Sequence, residues 1–140
     1  RDSLIREYVG VLQDRYDFVV IDNEAGLEHL SRRTTRQVDV LFVMSDNSYA
    51  GMLCVKRVKS IVEDVKIKTR QMLLVINRAE DIEPELQKIA DGLGLEVIGF
   101  IPEDKDITRY EVERKSLGRL PECSRAVSAV KKIVERVKFC

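Results

Sequence analysis

The chain has 140 residues, 44% of them hydrophobic, enough for one buried core and too few to suggest two domains. Its 24 basic and 24 acidic side chains cancel, which excludes a global field drawing it onto nucleic acid or an anionic membrane, so partners must be recognised locally. The three cysteines, Cys54, Cys123 and Cys140, are odd in number, far apart and without a C-x-x-C pair, which speaks against a disulfide framework and a local zinc site and for a reducing cytoplasm. No apolar run approaches the ~20 residues of a bilayer span, and no signal-peptide pattern is present.

In chain order, the opening "RDSLIREY" has no initiator methionine and already places Leu4, Ile5, Tyr8, Val11 and Leu12 on a helical period. This reads as a fragment that begins inside a helix. Four strands are predicted: "DFVVID" (17–22), "VDVLFVMS" (38–45), "QMLLVIN" (71–77) and "LEVIGFI" (95–101). Each is too continuously apolar to have a solvent face, the pattern of a parallel sheet covered on both sides. Helical periods fill the gaps, at roughly 26–36, at 48–65 with Met52, Val55, Val58, Ile61 and Val62 on one face, and at 83–92 with Leu86, Ile89 and Ala90. A last helix near 122–138 carries Ala126, Val130, Ile133, Val134 and Val137. The order βαβαβαβ is that of an α/β fold, a parallel sheet flanked by helices. Pro84 suits the first turn of its helix and "GLG" at 92–94 ends it.

In such a sheet, ligands sit beyond the carboxyl ends of the strands. Those ends read Asp22-Asn23-Glu24-Ala25-Gly26, Ser45-Asp46-Asn47-Ser48, Asn77-Arg78 and Pro102-Glu103-Asp104. Polar residues also end strands in order to cap the next helix, as Asp46 or Ser48 can do. Asp22 can be a cap or turn former, Asn77 a turn residue tolerant of unusual backbone angles, and Pro102 to Asp106 a turn opening the next helix.

The string "DFVVIDNEAGLEHLSRRTTRQVDVLFVMSD" closely resembles the switch II region and following strand of the MinD/ParA-type P-loop ATPases. Within that group it is most similar to the CooC-type accessory ATPases of carbon monoxide dehydrogenase maturation. "VINR" and "IPED" match as well, and the resemblance runs from about Arg1 to Val137. It implies that Asp22 holds a water of Mg²⁺, that Gly26 lets the backbone reach a γ-phosphate, and that Glu24 meets the magnesium shell or a partner subunit. It further implies that Asn77, with Arg78 beside it, reads adenine, that Pro102 packs on the purine, and that Glu103 or Asp104 accepts from its amino group. ATP and Mg²⁺ are then the cofactors, an ATP-bound homodimer the working state, and carbon monoxide dehydrogenase the client, with nickel insertion the service. Neither nucleic acid nor membrane is expected as a partner.

One departure from the family limits what this chain holds. None of its seven glycines is followed by lysine, so the Gly-Lys-Ser/Thr phosphate loop is missing. In relatives that loop, its strand and, in CooC-type proteins, a C-x-C motif for nickel or zinc precede the point where this chain starts. Residues 1–140 thus resemble the C-terminal part of such a domain, its switch II and adenine-binding half, without the phosphate-loop strand that lies between the switch II strand and the strand at 38–45. Taken alone, this half is expected neither to bind ATP appreciably nor to form a well-behaved monomer.

Lesser features are His29, the basic runs at Arg32, Arg33 and Arg36 and at Lys56, Arg57 and Lys59, which read as solvated faces, and Tyr49, Gly51 and Met52, placed for a dimer contact. The alternatives are a MinD/ParA-type positioning ATPase, a non-catalytic interaction module keeping half an ATPase site, and a phospho-acceptor receiver module. The receiver pattern lacks its earlier acidic pair, and Pro102 follows the last strand where a lysine is required.

Overall fold

A computed structural model describes residues 2–23 and 37–139, with side chains from Glu7 onward. Three apolar runs form β1 (Gln37–Asp46), β2 (Lys68–Asn77) and β3 (Glu96–Ile101), hydrogen-bonded in the order β1-β2-β3, with both pairings parallel. The long connections that parallel pairing requires are supplied by helices α2 (Tyr49–Asp64) and α3 (Pro84–Gly92). Both crossovers step the same way across the sheet, so the right-handed rule puts both helices on one face.

The central strand shows why the sequence needs two covers. Leu73, Leu74, Val75 and Ile76 are consecutive and all buried. Alternation sends Leu74 and Ile76 into a cluster with Val43, Met52, Val55, Leu86, Ala90 and Leu95, under α2 and α3. Leu73 and Val75 point the other way, into a cluster with Ile98, Ile133 and Val137, closed by α5 (Arg125–Arg136). Helix α5 lies very close to β3: a Cβ built on Gly99 would sit 2.5 Å from Ile133 Cγ1. Glycine is required there to let the helix approach the strand.

Between β3 and α5 runs a helix that the sequence pattern did not separate from its opening turn, α4 (Lys105–Val112), followed by a 3-10 turn at Leu117–Arg119. Its residues carry no buried apolar side chain, so no apolar stripe marks it. The other bounds differ by a few residues. Strand β2 starts at Lys68 rather than 71, because Lys68 and Thr69 pair with Gln37 and Val38 of β1 through backbone bonds that need no hydrophobic signal. Helix α5 is shorter than the predicted 122–138, since Ser124 caps it at one end and Val137 is extended at the other.

The run 17–22 corrects the sequence expectation. It carries the pattern of a buried strand, yet residues 17–23 belong to no strand; Phe18 is 67% and Val20 91% exposed. A strand is held by its neighbours' backbone groups, and none of the described strands pairs with this segment. Among the described residues its aromatic tether is an edge-to-face contact of Phe18 with Phe139, ring centroids 5.5 Å apart. Helix α1 (Asp2–Gln13) forms on the period predicted for it, but Tyr8, Val11 and Leu12 stay exposed. The predicted helix at 26–36 lies outside the described residues.

Candidate functional site

The parallel register brings three strand ends together. Asp46 is paired with Asn77, and Asn77 with Ile101, so the loops that follow β1, β2 and β3 leave the same edge of the sheet side by side.

At the first of these ends, Ser48 caps α2 by accepting from Gly51 N (3.0 Å) while its hydroxyl donates to Asp46 Oδ1 at 2.5 Å. The turn is so tight that a Cβ at Gly51 would lie 2.3 Å from Asp46 Oδ1 and 2.5 Å from Ser45 Oγ. Asn47 Oδ1 accepts from Glu83 N (3.3 Å), tying this loop to the start of α3. Asp46 therefore serves its own turn, as a cap reading predicts.

At the second end, exposed Asn77 accepts from Arg78 N through Oδ1 (3.0 Å). Among the described residues its amide nitrogen has no partner and keeps two free donors. Arg78 sits at φ +56°, in the left-handed region, which turns the chain sharply out of β2. Ala79 N then donates to Ile101 O (3.1 Å), fixing this loop against the end of β3.

At the third end, Pro102 is half-buried, Glu103 is exposed and Asp104 is half-buried. Asp104 is the most heavily bonded side chain of the group. Its Oδ1 accepts from Asp106 N (2.9 Å), capping α4, and its Oδ2 accepts from Ser124 Oγ (2.5 Å) and Ala126 N (3.0 Å) at the start of α5. These bonds hold the carboxyl down to about 2, from an ordinary value of 3.8; the Ala126 amide contributes most, then the Ser124 hydroxyl, with burial opposing. Beside it, Arg125 pairs with Glu80 of the loop after β2, on the surface.

Of the residues singled out from the sequence, the structure thus brings together Asn77, Arg78, Pro102, Glu103 and Asp104. Asp22 is described and exposed, and no hydrogen bond or ion pair joins it to that group. Glu24, Gly26, His29, Arg32, Arg33 and Arg36 lie outside the described residues. Sequence reasoning missed Ser124, Arg125 and Glu80, which fasten the strand-end loops. The available signal was Ser124 itself, a helix cap immediately before an apolar period.

No family model matches the chain. It is 38% identical over 140 residues to an uncharacterised ATP-binding protein of Methanocaldococcus jannaschii, covering 97% of this chain and 54% of that one. The structure superposes on the septum site-determining protein MinD of Pyrococcus horikoshii in complex with Mg-ADP, with TM-score 0.73 and 21% identity, covering 99% of this chain and 57% of MinD. The MinD cell division protein of Aquifex aeolicus matches with TM-score 0.71 at 18% identity, over 97% and 60% of the two chains. The fold is that of part of MinD. The chain spans about half the length of the curated relatives it matches. The cluster around Asn77 lies beyond the carboxyl ends of the strands of a parallel sheet, where open α/β sheets bind ligands. No described helix is long and apolar enough to cross a membrane.

Proposed function

We propose that this chain is the switch II and adenine-binding half of a magnesium-dependent ATPase. The observation that carries the proposal is the register that sets Asn77 between Asp46 and the Ile101-Pro102-Glu103 turn. It offers a base two amide donors from Asn77, a half-buried ring face from Pro102 and a free carboxylate from Glu103. An adenine edge needs a donor for a ring nitrogen and an acceptor for its amino group. The similarity to an ATP-binding protein and to MinD bound to Mg-ADP supports the same reading.

The residues present suit magnesium better than a protein-caged metal. Among the described residues no three His, Cys, Asp or Glu side chains gather, and Mg²⁺ keeps several waters and takes only one or two carboxylates. Asp22 is the carboxylate assigned to it, through a water. When bound, the ion would neutralise charge on the transferring phosphoryl group; Gly26 would bring its N–H to that group and Glu24 would meet the magnesium shell or the partner subunit. In the full-length protein, Asp22→Ala is expected to abolish turnover at saturating MgATP while leaving the fold intact. Turnover equal to the unaltered protein removes Asp22 from the chemistry, and no turnover by the unaltered protein favours an interaction module.

Two finer readings divide the class. The string from Asp22 to Thr34 favours a CooC-type accessory ATPase, a nucleotide-dependent homodimer serving carbon monoxide dehydrogenase with nickel as cargo. The likeness to MinD structures favours a positioning ATPase instead. Equilibrium dialysis of the full-length protein against Ni²⁺ separates them: stoichiometric binding is expected of the first alone. The cysteines of this chain are not assigned to that metal; Cys54 and Cys123 are isolated on the surface.

A further inference from the structure

We infer that Asp104 is a positioning residue for the base site, holding the Pro102-Glu103 turn in place from the first turn of α5 without touching the ligand. The inference rests on the nucleotide reading above and gives Asp104 a different part from the one the family resemblance implies, in which Glu103 or Asp104 is the acceptor.

Three donors already converge on the Asp104 carboxylate, two of them backbone amides opening different helices. An acceptor so occupied has little left for an exocyclic amino group, whereas Glu103, one residue earlier, is exposed and its carboxylate has no hydrogen-bond or ion-pair partner among the described residues. The donors are also well anchored. Ser124 is 3% exposed, and its oxygen accepts in turn from Val127 N (3.3 Å), so the hydroxyl that grips Asp104 belongs to the cap of α5. Helix α5 is itself seated on β3 by the Gly99–Ile133 contact, and Arg136 Nη1 donates to Ile98 O (3.1 Å) further along. The turn is therefore referenced to the core through α5. The neighbouring loop is fastened to the same helix end by Arg125 and Glu80, and to the turn by the Ala79–Ile101 bond. A single helix terminus thus sets the spacing between Asn77 on one loop and Pro102 and Glu103 on the other.

An amide cannot replace this carboxylate. In Asp104→Asn one of the two oxygens becomes an NH₂ donor, which faces either the Asp106 N–H or the Ala126 N–H, donor against donor. The turn then loses one of its two helices.

The test uses the full-length protein and calorimetric affinities for MgATP, MgGTP and magnesium tripolyphosphate, with thermal unfolding as a check on folding. Asp104→Asn is expected to cut the preference for ATP over GTP by about tenfold, the loss of one charge-assisted bond's worth of order, with tripolyphosphate affinity unchanged. Ser124→Ala, which keeps both amide bonds to Asp104, is expected to reduce the preference less, and it carries the test if Asp104→Asn does not fold. A preference left intact in the folded variants, or tripolyphosphate affinity falling in step with ATP, overturns the positioning role alone. Equal affinities for ATP and GTP in the unaltered protein overturn the nucleotide reading and this inference with it.

Discussion

The runs "DFVVI" at 17–21 and "LLVIN" at 73–77 look alike and fare differently. The second is the middle of a sheet: Leu74 and Ile76 are fully buried, and its backbone is paired with β1 on one side and β3 on the other. The first belongs to no strand and leaves Phe18 and Val20 in solvent. On the α5 face of β1 the same weakness shows as Met44, 51% exposed, with Val40 and Phe42 only partly covered, while Val43 on the opposite face is buried. An apolar run thus specifies a strand only where neighbours supply both a ladder and a cover.

The largest expected effect comes from breaking the packed region. Leu74→Ala or Ile76→Ala should cost about 2–5 kcal/mol, since each leaves a cavity between the sheet and α2 and α3. Val20→Ala, at 91% exposed, should stay within about 0.5 kcal/mol. Urea unfolding of the three variants checks the contrast, and comparable losses for Val20 and Leu74 would mean that the 17–22 segment is packed after all. A smaller loss, about 1–3 kcal/mol, is expected for Gly99→Ala, whose added methyl must displace Ile133 or lift α5 from β3. In combination with Ile133→Ala, which removes the Cγ1 that the new methyl meets, the loss should be smaller than the sum of the two single losses, as a clash requires.

The smallest effect sharpens the comparison through pH. The folded carboxyl of Asp104 titrates at about 2 against an ordinary 3.8. A depressed acid binds its proton more readily in the unfolded chain, so its contribution is complete above about pH 4, declines as pH falls, and is gone below about 2. Unfolding midpoints followed from pH 5 to pH 2 should fall less steeply in Asp104→Asn than in the unaltered protein. Parallel slopes would show that the three bonds to Asp104 are not formed in solution.

Much of this architecture was legible in the sequence, for reasons that differ by element. The strands at 38–45, 71–77 and 95–101 could be read because burial on both faces demands continuous apolar residues, and Leu73 to Ile76 show that demand met. Pro84 and the apolar spacing of Leu86 and Ala90 marked α3 for similar local reasons. The segment at 17–22 misled because pairing is a property of neighbours. Helix α4 was legible only as its opening turn at Pro102 to Asp106, because none of its residues is fully buried and no apolar stripe marks it. In the site, Asn77 and Pro102 were visible as strand ends. The fastening of Asp104 to Ser124 and Ala126 was not, since it joins residues about twenty positions apart and depends on how α5 is seated.

The central claim is that Asn77 reads a base at the joined strand ends. Its most direct test is calorimetric titration of MgATP and MgGTP into the full-length protein and its Asn77→Ala variant. The unaltered protein should prefer ATP, and the variant should lose about 1–3 kcal/mol of ATP affinity, the usual size of a lost buried hydrogen-bond pair, with GTP affinity little changed. ATP affinity unchanged in the variant, or no preference for ATP in the unaltered protein, would contradict it.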